Sequence, residues 1–214
     1  MGLFSLRYFP RRGNLFQNPS FEAGREPWSW RSESASWNDF EITAQRAHSG
    51  KHSAHLRLEN QPGRPLARIW GLIQDPQLRR MPEKIGFWYR VENWRKGTRL
   101  QFLQMVVMVS DEFIPATGQQ TQQLRYILYG LNEVPYPEEA LNVRFLVASP
   151  DRPVEGEWIH FEADLRRDFL RTWGKVPEQF KKVEFIFEAR YDEHPPEGVA
   201  LSGDVYWDDF TLSW

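Results

Sequence analysis

Apolar and polar residues alternate with a period of two in three separate stretches, and that pattern restricts the fold more than any other feature of the chain. In 84–91, Ile85, Phe87, Tyr89 and Val91 share one side, while Gly86, Trp88 and Arg90 share the other. In 157–165, Ile159, Phe161, Ala163 and Leu165 oppose Trp158, His160, Glu162 and Asp164. In 183–191, Val183, Phe185, Phe187 and Ala189 oppose Glu184, Ile186, Glu188 and Arg190. Successive side chains of a strand point to opposite faces, so each stretch reads as a strand with one buried face. The runs 100–109 and 124–131 are more continuously apolar, which suits strands in the interior of a sheet. One helix is expected. Asp164 or Asp168 caps a stretch carrying Leu165, Phe169, Leu170 and Trp173, Gly174 ends it, and Pro177 blocks its continuation. Many strands with one minor helix predict an all-β sandwich.

The chain has 214 residues, which one β domain can absorb. We read an arm over 1–12, where Pro10 and two arginines precede Gly13, and a single domain over 13–214. Within it, 111–153 is long and mixed, with a strand near Leu124 and an irregular or partly helical piece around 135–140. Long insertions on a rigid scaffold often carry function. The net charge of −2 provides no basic field for nucleic acid. Without cysteine, neither a disulfide framework nor a thiolate metal site is available. The start shows no signal-peptide pattern. The longest apolar run, Met105 to Val109, falls far short of the roughly 20 residues that cross a bilayer, so no membrane partner is expected. The compartment stays open, an extracellular or cell-surface role included. Ten Trp is high for this length, and any rings left on a sheet surface would suit stacking on flat or weakly polar ligands.

The two ends carry complementary groups. Asn14-Leu-Phe-Gln-Asn-Pro-Ser-Phe-Glu22 and Ala47-His-Ser-Gly-Lys-His-Ser-Ala-His-Leu56 stand near the start, and Val205-Tyr-Trp-Asp-Asp-Phe-Thr-Leu212 closes the chain. A carboxylate and a glycine turn opposite an acidic last strand suggest a hard cation such as calcium pinning the ends, though ordinary strand-end acids account for the same residues as well. If the ends share a site, the first and last strands pair, and the sandwich is a jelly roll. Asp208 falls on the face of Phe210 and Leu212, expected to look inward, and Asp209 falls on the other.

The run NLFQNPSFE, then PWSW, then AHSGKHSAHL resembles the opening of carbohydrate-binding modules of the galactose-binding-like jelly-roll superfamily, in particular families 4, 9 and 22. GEWIHFEADL resembles their recurring strand with Trp at its start, and VYWDDFTL resembles their closing strand with paired aspartates. The resemblance covers most of 14–214 and is thinnest over 111–153. It implies the jelly-roll fold, a glycan bound without cleavage, and a structural calcium near the chain ends. Glu22, Asp208 and the backbone carbonyls of the turn from Ser49 to Lys51 match the ligand positions. It does not carry the identity of the sugar. Relatives in phage tails and on cell surfaces make a structural or adhesive module the alternative, as a homo-oligomer or within a larger particle.

A sugar packs its C–H face on an aromatic ring while its hydroxyls exchange hydrogen bonds with polar side chains. Trp88, Arg90, Glu188 and Arg190 face outward on their strands, and Gln104 and Tyr129 join them if their strands share that sheet. For each of these residues the plainer reading is packing or a solvated ion pair, with Trp88 lying under the 111–153 insertion. Trp28, Trp30 and Trp37 are expected to plug an end of the sandwich. His48 and His52 flank Gly50 in a β context, which argues against zinc, and His160 reads as a surface residue. A glycan hydrolase or lyase needs two carboxylates across a cleft. The adjacent pairs Asp208–Asp209 and Asp192–Glu193 point to opposite faces and cannot supply them, although distant pairs such as Glu162 and Glu188 can. No enzyme is expected.

Overall fold

A computed structural model describes residues 13–63, 65–110, 121–136, 142–148 and 154–214. The arm at 1–12 and most of the piece expected around 135–140 lie outside these residues. In chain order the strands are β1 (Trp37–Asn38), β2 (Glu41–Thr43), β3 (Ser53–Glu59), β4 (Arg68–Gln74), β5 (Lys84–Arg95) and β6 (Gln101–Ser110). There follow β7 (Thr121–Tyr129), β8 (Val143–Val147), β9 (Trp158–Asp164), helix α1 (Leu165–Trp173), β10 (Lys182–Tyr191) and β11 (Ser202–Ser213).

The strands form two sheets, one ordered β1-β4-β10-β6-β7-β8 and the other β2-β3-β11-β5-β9. From β3 to β6 the chain changes sheet at every step, and it does so again from β9 to β11, as in a jelly roll. The inward sets of all three alternating stretches enter one core, where Phe187 meets Phe87 and Phe210 edge to face and Trp207 lies tilted against Phe87. Aromatic pairs in these geometries add about 0.5–1.5 kcal/mol beyond area burial. The helix is capped as expected: Asp164 accepts from the Arg167 N–H, and Gly174 takes φ 72° at its end.

The first and last strands do not pair. β1 runs parallel to β4 in the six-stranded sheet, while β11 lies between β3 and β5 in the other. The ends meet instead through the irregular segment before β1. Leu15 N donates to Leu212 O at 2.8 Å, and Asn14 Nδ2 donates to Phe210 O at 2.9 Å.

The face of Asp208 also differs from expectation. The pairing of β11 with β5 shifts between Asp208 and Thr211, and Asp209 adopts φ +48°, so a β-bulge sits there. Before the bulge Val205 and Trp207 point inward, and after it Phe210 and Leu212 do. The extra residue moves Asp208 to the outer face, opposite Trp88, where it is nonetheless fully buried.

Candidate functional site

The outer face of the six-stranded sheet carries a deep polar row. Gly71 of β4, Glu188 of β10 and Gln104 of β6 are direct neighbours across it. Glu188 is 4 % exposed and Gln104 not at all, and the Gln104 amide donates to Glu188 Oε2 at 2.5 Å. Among the described residues Gln104 Oε1 is buried with no hydrogen-bond partner, which leaves an acceptor in the floor unsatisfied. Arg190, two residues beyond Glu188 on the same face, donates to Glu188 at 3.1 Å and to Asp192 at 2.5 and 2.7 Å. Burial opposes the Arg190 charge, but Glu188 and Asp192 outweigh it and raise its hold on its proton. Burial likewise lowers the guanidinium of Arg125, which faces the same charges from β7.

Aromatic side chains flank this floor. On one side stands Trp37. The two-residue strand β1 is stitched to β4 by Ile69 N donating to Ser36 O at 2.8 Å, and this sets Trp37 down on the sheet. Its ring lies against Gly71, where an added Cβ would come within 2.6 Å of it. Any larger residue at 71 would displace the indole, so glycine here is a packing requirement. The Arg31 guanidinium stands 5.8 Å from the ring centroid and bridges to Glu184 at 3.1 Å. On the other side Tyr136 donates to Asp192 at 2.5 Å and packs near Phe145 at 6.2 Å. Between the two sides Ile73, Val106 and Ile186 form a small apolar cluster with Trp37 and Met108, apart from the main core.

The structure divides the residues nominated from sequence. Gln104, Glu188 and Arg190 come together. Trp88 and Arg90 do not join them, because β5 belongs to the opposite sheet. The Trp88 ring is stacked under the His48 imidazole at 3.9 Å and 13°, so the 47–52 turn covers it. Arg90 is paired with Glu92, which Arg46 also holds, at 2.9 Å. Tyr129 does not join either. The register shifts between Leu103 and Gln104, and Tyr129 turns to pack edge-on against Trp94 at 5.2 Å and to donate to Glu155 at 3.1 Å. The second sheet has its own hollow of about 450 Å³, lined by His55, Glu92, Asp204 and Tyr206 among others. In it Arg46 pairs with Glu92 and His55 bonds to Asp204, and His55 covers the Tyr206 ring at 4.5 Å.

Trp37, expected to plug an end of the sandwich, instead lies on the sheet face at Gly71, and sequence reasoning did not nominate Arg125, Tyr136 or Asp192 as binding residues. The alternation in β7 was the available signal for Arg125. Nothing local marks Trp37, because its place depends on Gly71, distant in sequence. Trp28 is a core residue as expected, and Trp30 packs at the core's margin.

The four residues nominated for calcium do assemble, at the junction of the chain ends. Glu22 Oε1 accepts from the N–H groups of Lys51 and His52, both at 2.8 Å. Asp208 Oδ2 accepts from His48 N at 2.8 Å and Ser49 N at 3.2 Å. Burial works against the Glu22 charge, yet those two donors prevail and hold its carboxyl below the usual range. For Asp208, burial and then the neighbouring Asp209 carboxylate win over three N–H donors and push it up to about 7. Asp209 is half-buried, which opposes its charge, but hydrogen bonds from His48, Ser20 and Ser49 hold it low.

Over nearly its whole length the chain is similar to solved carbohydrate-binding modules of jelly-roll type. One is TmCBM61 in complex with β-1,4-galactotriose, at 15 % identity and TM-score 0.47 over 93 % of this chain and 97 % of that one. Another is the CBM22-1 xylan-binding domain of Paenibacillus barcinonensis Xyn10C, at 16 % and 0.45 over 96 % and 97 %. A third is a CBM28 specific for non-crystalline cellulose, at 17 % and 0.48 over 92 % and 93 %. The enzymatically active domain of tailspike protein 4 of bacteriophage CBA120 is similar at 12 % and 0.48, over 94 % of this chain and 21 % of that one. No family model and no curated protein matches the chain.

Proposed function

We propose that the outer face of the six-stranded sheet binds a carbohydrate without cleaving it. One observation carries this reading. Trp37 lies against the sheet at Gly71, in register with the buried acceptors and donors of Glu188 and Gln104. An aromatic ring beside a fixed row of hydrogen-bonding groups is what a sugar needs, since it offers an apolar C–H face and a rim of hydroxyls. The charges of the floor compensate one another: Arg125 and Arg190 stand against Glu188 and Asp192. Such a surface has no net field to attract a polyanion, so the favoured ligand is an uncharged oligosaccharide. Glu188 and Asp192 are held by Arg190 as hydrogen-bonding groups, which suits recognition rather than acid–base work.

The test is affinity electrophoresis and titration calorimetry against a panel of neutral polysaccharides. Trp37→Ala is expected to weaken binding about tenfold or more, equivalent to about 1.4 kcal/mol. Trp88→Ala is expected to leave affinity unchanged, because its ring is already covered. Loss of binding in Trp88→Ala with affinity retained in Trp37→Ala would move the site to the other sheet. A stable oligomer in light scattering, with no signal on a glycan array, would favour the assembly module instead.

A further inference from the structure

The resemblance places a structural calcium where the chain ends meet, and the residues found there do not fit one. Calcium takes about six to eight oxygen ligands, each turning lone pairs toward the ion. Here the oxygens face hydrogen-bond donors. Besides the donors to Glu22 Oε1 and Asp208 Oδ2, Asp208 Oδ1 accepts from Asp209 N at 2.7 Å. Asp209 Oδ1 accepts from the hydroxyls of Ser20 and Ser49, both at 2.7 Å, and its Oδ2 lies 2.7 Å from His48 Nδ1. Glu22 Oε1, Asp208 Oδ2 and Asp209 Oδ1 thus each hold a pair of donors. Ser49 and Lys51, the positions matched to carbonyl ligands, turn their N–H groups to the carboxylates. Successive N–H groups aimed into one hollow form a nest, whose positive dipole ends attract anions and repel a cation. Among the described residues no group of three or more His, Asp or Glu is arranged to hold a metal.

The turn is also shaped for this contact. Gly50 has φ +66°, and a Cβ there would lie 2.5 Å from Glu22 Oε1. Only glycine lets the carboxylate press so closely on the backbone in that conformation.

We infer that this chain closes its sandwich with a metal-free clasp. The 47–52 turn delivers the backbone N–H groups of Lys51 and His52 to Glu22 and those of His48 and Ser49 to Asp208, and so does the joining that an ion would otherwise do. The inference is independent of the glycan reading, and its test reads melting rather than binding.

Protein passed over chelating resin is melted in EGTA and in millimolar calcium, and its metal content is measured. The two melting temperatures are expected to agree within about 1 °C, with no stoichiometric calcium. Glu22→Gln keeps an acceptor for Lys51 and His52 while removing the charge, and it is expected to melt within about 3 °C of the parent. Gly50→Ala is expected to melt about 5 °C lower or more, equally with and without calcium. A calcium-induced rise of about 5 °C or more in the parent, or one calcium per chain, would overturn the clasp. The parent comparison decides even if Gly50→Ala does not fold.

Discussion

Arg190 is gripped by Glu188 and Asp192 on a floor where all three side chains are at most 12 % exposed. Removing one partner from such a group strands the remaining charges, at a cost of about 3–5 kcal/mol. Arg190→Met is therefore expected to lower unfolding free energy by about 3 kcal/mol in urea titrations, with the slope of the transition unchanged. Asp208 gives a second prediction, in pH. Its folded carboxyl stands at about 7 against an ordinary value of 3.8, so the folded state favours its protonated form. A raised value stabilises below the ordinary pKa and loses that contribution as pH rises through the folded one. Glu22 and Asp209 are lowered, so their contributions act in the opposite sense and fade only under stronger acid. The melting temperature is expected to fall between pH 4 and pH 7 and then level. In Asp208→Asn that slope should flatten; a slope unchanged in calorimetry would assign it to other groups.

At the level of elements, the helix and the sheets differ in what their own residues dictate. The helix between β9 and β10 begins where Asp164 accepts from Arg167 N at 2.9 Å and stops at a left-handed Gly174, both of which lie within a few residues of what they cap. Loss of an N-cap side chain costs about 1 kcal/mol. Asp164→Ala is expected to cost that much by chemical denaturation. The strands that alternate cleanly, β5, β9 and β10, were legible for the same local reason. Bulges were not. One extra residue at Asp209 exchanges the faces of everything before and after it, and a strict period of two read through it puts Asp208 on the wrong side. The shift at Leu103 and Gln104 does the same to Tyr129.

Across the whole molecule, the two outer faces have different characters. On the five-stranded sheet, Trp88 is capped by His48 and Tyr206 by His55, so its rings are spent on internal stacking. On the six-stranded sheet, aromatic side chains flank a polar floor. Among the described residues no helix is long and apolar enough to cross a membrane. From the sequence alone followed the alternating strands β5, β9 and β10 with their buried faces, the helix with its caps, and the closeness of Glu22, the 49–51 turn and Asp208. Those features rest on alternation, capping and turn chemistry, which act over a few residues. Only the tertiary structure decided that Trp88 and Glu188 lie on opposite sheets, that Trp37 rests on Gly71, and that Ser49 and Lys51 present N–H groups to the carboxylates. Each of these depends on strand order, on a bulge, or on the direction of a peptide plane. Such quantities are set when distant segments pack, and the period of a single strand carries no trace of them.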